Sequence, residues 1–143
     1  MAAVSLPPDA LALLAALDAA SVDHVMIGEL AAAVHGQPWA NDTLVITPAR
    51  YGRNLDRLSR LLRDLDAAWR VEGEVEVLDV DLCASELMRV DRWRLLTDQG
   101  ELDLEFAPGG LGYRELFRDA RPFALGGTVV QVLLAFTAIA GRS

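Results

Sequence analysis

Leucines recur every third position behind Pro7, Pro8 and Asp9, at Leu11, Leu14 and Leu17, which predicts a helix to about Ala20 with proline in its first turn. A short apolar run, His24 to Ile27, ends at Gly28 and is followed by helix-forming residues Glu29 to Val34 and a turn-like Gly36-Gln37-Pro38. The pattern reads as strand, turn and short helix. Leu44 to Thr47 reads as a second strand stopped by Pro48, because proline cannot donate to a sheet ladder. Leu55, Leu58, Leu61, Leu62 and Leu65 then fall at three- and four-residue spacing, opposite Arg53, Arg57, Arg60, Arg63 and Asp64. That is an amphipathic helix laid on a sheet.

Further along, Val75 to Leu82 reads as a strand and Ala84 to Val90 as a helical turn. Arg92 to Thr97 and Leu102 to Phe106 flank the polar, glycine-containing loop Asp98-Gln99-Gly100-Glu101, a hairpin signal. Leu102, Leu104 and Phe106 should face one way, and Asp103 and Glu105 the other. After Pro108-Gly109-Gly110 a helix is expected near Tyr113 to Ala120, then turns at Gly126-Gly127 and an apolar segment, Val129 to Ala140. This segment is too short to span a bilayer and is expected to be a buried helix or an association surface, covered in the monomer or in a homodimer. No repeat or linker divides the 143 residues, so one α/β (α+β) domain is expected, a mixed sheet flanked by helices.

Composition narrows the chemistry. A formal net charge of -8 argues against a large contact with nucleic acid or anionic membrane, both of which need clustered positive charge. All 13 basic residues are arginine, which closes every lysine-based mechanism, from the phosphate-loop lysine to the Schiff base. The single cysteine, Cys83, forms no internal disulfide and is expected to be a small buried side chain. With nothing demanding an oxidising compartment or an anchor, the expected location is the cytoplasm. No serine, histidine and aspartate pattern points to nucleophilic catalysis.

The segment Gly28-Glu29-Leu30-Ala31-Ala32-Ala33-Val34-His35-Gly36-Gln37-Pro38, the hairpin Trp93 to Leu104 and the tail Ala140-Gly141-Arg142 together resemble the nucleotidyltransferase superfamily, in its minimal nucleotidyltransferase and abortive-infection toxin group. The resemblance implies a nucleotidyltransferase-like fold in which a glycine turn meets a triphosphate and two strand aspartates hold magnesium. It also places the family's second small residue at Glu29, its paired aspartates at Thr43 and Val45, its arginine at Trp39 and its closing-helix lysine near Thr137. Asp103 alone matches, as the third carboxylate. Valine offers magnesium nothing, and a threonine hydroxyl is a poor substitute for a carboxylate.

The expectation is therefore a nucleotidyltransferase-like pseudoenzyme without metal or cofactor, which binds a small molecule or a protein partner in or near the old cleft. Gly28, Glu29, Trp39, Thr43, Val45 and Glu105 are the expected ligand contacts, and His35, Asp42 and Asp103 the expected proton-moving groups if any catalysis remains. Two rivals stay open. One is an active but unusual transferase that modifies protein or RNA with Asp42 and Asp103. The other is a repurposed lyase, cyclase or isomerase using a vacated apolar cleft. A second aspartate pair at strand spacing, Asp79 and Asp81, reads as solvated strand-end acids.

Overall fold

The computed structural model describes residues 6–70 and 81–133. Helix α1 (Pro8–Ala19) starts with proline, whose missing N–H is no loss in a first turn, and carries Asp9 where the helix dipole favours an acid. It buries Ala10, Leu13, Leu14 and Leu17. Strand β1 (His24–Ile27) leads into α2 (Gly28–Val34), then β2 (Leu44–Pro48) and α3 (Gly52–Asp64). The leucine stripe of α3 is inside, with Leu55, Leu58, Leu61 and Leu62 buried, while Arg53, Arg60 and Arg63 stay in water. Asn54, on the same helix, is fully buried and ties the start of β1 to the end of β2 through three hydrogen bonds. Its Nδ2 donates to the carbonyls of Asp23 at 2.9 Å and Ala49 at 2.8 Å, and its Oδ1 accepts from the Asp23 amide at 2.7 Å.

The second half contributes β3 (Ala68–Trp69), α4 (Ala84–Leu87), the hairpin of β4 (Arg92–Thr97) and β5 (Gly100–Glu105), α5 (Tyr113–Arg118), and a second hairpin of β6 (Ala120–Leu125) and β7 (Thr128–Leu133). All seven strands form one mixed sheet in the order β3-β4-β5-β2-β1-β7-β6. The pairs β1–β7 and β2–β5 are parallel and the other four antiparallel. The fold class is the expected one, a mixed sheet with helices against it.

Alternation along the strands sorts side chains to two faces. Met26, Leu44, Ile46, Leu102, Leu104, Trp93, Leu95, Val130 and Val132 point to the first, where the leucines of α1, α2 and α3 close a single large core. On the second face Val25, Ile27 and Leu133 pack under Leu116 of α5 and Ala120 in a small cluster.

Three expectations need correction. The apolar segment expected as a helix over Val129 to Ala140 is a strand as far as Leu133, and its remainder lies outside the described residues. Gly126 and Gly127, with φ of 59° and 85°, make the two-residue turn of a hairpin whose twist matches its strands. Within that strand burial alternates: Val130 and Val132 are buried, whereas Val129 is 64% exposed. Cys83 is half-buried rather than enclosed, with Sγ 3.2 Å from the Ser85 hydroxyl just ahead of α4. Finally, most of the strand expected over Val75 to Leu82 lies outside the described residues, but its last two positions, Asp81 and Leu82, are not in a strand. Asp81 is exposed and sits 3.7 Å from Arg63; Asp79 lies outside the described residues.

No helix among the described residues is long and apolar enough to cross a membrane.

Candidate functional site

Strand β1 runs extended through Ile27 and turns at Gly28, whose φ of +81° lies in the left-handed region that favours glycine. The turn also rides close over β2. A Cβ at position 28 would sit 3.1 Å from Cγ2 of Val45. Val45 is paired with Ile27 on one side and with Asp103 on the other, and Asp103 is in turn opposite Arg94. Ile27, Val45, Asp103 and Arg94 therefore form one row across four strands on the second face, beginning under α5 and ending in charge.

The neighbouring rows are polar. Above, the Thr43 hydroxyl donates to Oε2 of Glu101 at 2.8 Å, and Glu101 also pairs with Arg70. Below, Arg92 Nε lies 3.1 Å from Oε1 of Glu105. The face is zoned: an apolar patch at Ile27 and Val45, a line of carboxylates on β5, and arginines on β4 and at the end of β3. Asp103 is half-buried in the middle. Burial pushes its carboxyl above the usual value, and the nearby charges of Arg94 and Arg92 pull it back down while Glu105 pushes it further up.

Four of the expected contact residues, Gly28, Thr43, Val45 and Glu105, thus meet on one face with Asp103, one of the expected proton-moving groups. Others do not join them. Trp39 packs against the large core on the first face, whereas Val45 packs with the small cluster on the second, so the two are not walls of one cleft. The Trp39 indole N–H donates to Oδ1 of Asp42 at 3.0 Å. Asp42 is exposed and lines a groove of about 400 Å³ with Pro7, Pro8, Asp9, Gly100 and Glu101. Glu29 is exposed and accepts from the Ala40 amide at 3.1 Å, so its carboxylate braces the loop into β2. His35 is held by the Leu133 carbonyl 2.9 Å from Nε2 and by an edge-on contact with Phe123, with ring centroids 5.4 Å apart. Those are the contacts of a residue that ties α2 to the far end of the chain.

Sequence reading missed Arg94, Glu101 and Arg70. Arg94 had a usable signal: once the hairpin closes at Asp98-Gln99, with Thr97 opposite Gly100, counting back along the ladder puts Arg94 opposite Asp103. The Thr43–Glu101 bond depends on which strand lies beside β2, and local pattern does not say. Among the described residues no group of three or more histidines, cysteines, aspartates or glutamates is arranged to hold a metal ion. Neither protein-family models nor curated protein sequences match the chain.

Proposed function

We propose that this chain is a nucleotidyltransferase-like protein that has lost metal-dependent transfer and binds a small neutral or cationic organic ligand at the row of Gly28, Val45 and Asp103. The observation that carries the reading is the register. Val45 stands opposite Asp103 and directly beneath the glycine turn, where the resemblance calls for a second carboxylate to share magnesium. Two adjacent strands that each present a carboxylate make a metal clamp. One carboxylate beside an alkyl group does not fit the ion, because magnesium demands several hard oxygen ligands, valine offers none, and the neutral hydroxyl of Thr43 is a poor substitute for a carboxylate.

What the row can do is different chemistry. The half-buried alkyl side chain of Val45 gives a ligand somewhere to bury apolar area, and Asp103 gives it one acceptor that fixes orientation. A cation or a neutral hydrogen-bond donor suits that acceptor, since either relieves the desolvation that burial imposes on it. A triphosphate meets a carboxylate line on β5 and no lysine anywhere in the chain.

Calorimetry tests both halves. The protein is expected to give no magnesium-dependent heat with ATP, GTP, CTP or UTP at near-millimolar concentrations, and a clear heat with any of them overturns the loss of transfer. In the reverse direction, Thr43→Asp with Val45→Asp is expected to raise manganese affinity by roughly tenfold or more. A folded double variant with no gain means that the row is not the remnant of a metal site.

A further inference from the structure

The opposite end of β1 holds a second groove, of about 400 Å³, between the end of α1, the first residues of β1, and α5. His24 lines it. The ring Nδ1 lies 2.9 Å from the Val22 carbonyl, which can only accept, so Nδ1 carries the hydrogen. The other ring nitrogen, Nε2, is buried and has no hydrogen-bond partner among the described residues. Burial holds His24 below its ordinary value, against the opposing pull of Asp23 and Asp18, so the ring is neutral at pH 7 and Nε2 presents a lone pair. A buried acceptor without a donor is costly to leave so, and a donor seated in the groove beside it would relieve that cost.

The surroundings specify the kind of donor. Asp18 and Asp23 bring two carboxylates to the groove, and Tyr113 and Phe117 of α5 bring two rings, 5.6 Å apart. Phe117 is 45% exposed, a large apolar surface left to water beside two acids. Among the described residues Arg57 is the one cation on the rim, and its guanidinium is turned to the Ser21 carbonyl at 3.5 Å. Acceptors and aromatic faces therefore outnumber donors, the composition of a site for organic cations.

We propose that this groove binds an alkylammonium or guanidinium head group, with Asp18 and Asp23 pairing the charge, Tyr113 and Phe117 covering its alkyl part and His24 accepting a hydrogen bond. The site is separate from the Asp103 row and does not depend on the reading given for it. Because the chain has only His24 and His35, proton NMR of the ring C–H resonances reads it directly, with His35→Gln making the assignment. Butylammonium is expected to shift the His24 resonance saturably and to move its titration to lower pH, since a bound cation opposes a second positive charge. Butanol at the same concentrations should do neither. Asp23→Asn, and independently Asp18→Asn, should weaken the ammonium response by roughly fivefold, the scale of one exposed charge pair, while the exposed loop variant Asp98→Asn leaves it unchanged. No saturable shift, an equal response to butanol, or undiminished affinity in both aspartate variants overturns the proposal.

Discussion

The two faces of the sheet are built from the same strands by opposite means. On the first face the buried strand positions are mostly leucine, isoleucine, methionine, valine or tryptophan, and helices α1 to α4 pack over them. On the second, the same strands present Val25, Ile27 and Val45 and then Asp103, Glu105, Arg94 and Arg92, with α5 covering only the apolar end. The first face holds the fold. The second is left partly polar on strands whose first face is mostly buried, and a surface that does not serve stability on such a sheet is where ligand chemistry has room.

The sharpest way to break the comparison is to cut neighbouring residues on opposite faces back to alanine, three carbons at Leu44 and two at Val45. Leu44→Ala is expected to cost about 2–5 kcal/mol, because Leu44 is fully buried and its neighbours cannot collapse into the space. Val45→Ala, one residue on, should cost about 1 kcal/mol, since Val45 is only half-buried. Urea melts that gave equal losses would mean the second face is as much a core as the first. Next in size is Gly28→Ala, expected to cost about 1–3 kcal/mol through its φ of +81° and the 3.1 Å approach to Val45. If that approach matters, Val45→Ala in the same chain should return part of the loss, and strict additivity of the two changes refutes the contact.

The smallest effect concerns Asp103, and its sign follows from burial. A carboxyl whose value is raised on folding is held more comfortably protonated, so its contribution is favourable at low pH and is lost as pH rises past the ordinary value near 3.8 and through the raised one. Asp103→Asn should therefore match the parent in acid and become relatively more stable as pH rises toward neutrality. A variant that instead loses stability at neutral pH would show the charge of Asp103 to be held by its arginines more than it is penalised by burial.

Much of the first face was legible in the sequence, because burial on one side writes itself as period. The stripes of α1 and α3 and the alternation of β5 are of that kind. The β6–β7 hairpin was not recovered, for a physical reason. An apolar run has no period to read, and a strand in a sheet interior and a buried helix share that composition. The better signal was Gly126-Gly127 with apolar residues on both sides. The second face was half legible. Asp103 and Glu105 followed from alternation, and Val45 from counting out of Gly28. Trp39 went to the other side because the loop after α2 is directed by a Glu29–Ala40 bond and a Trp39–Asp42 bond that no periodicity encodes.

The parallel pairing of β1 with β7 sets Met26 beside Val132, more than a hundred residues later. During synthesis the most central strands emerge early, yet one side of β1 keeps its amide and carbonyl groups unpaired until the last hairpin has left the ribosome. Closing so long a loop is slow compared with forming either hairpin. The nascent chain therefore passes through a stage in which an apolar strand edge, Val25 to Ile27, is open to other chains.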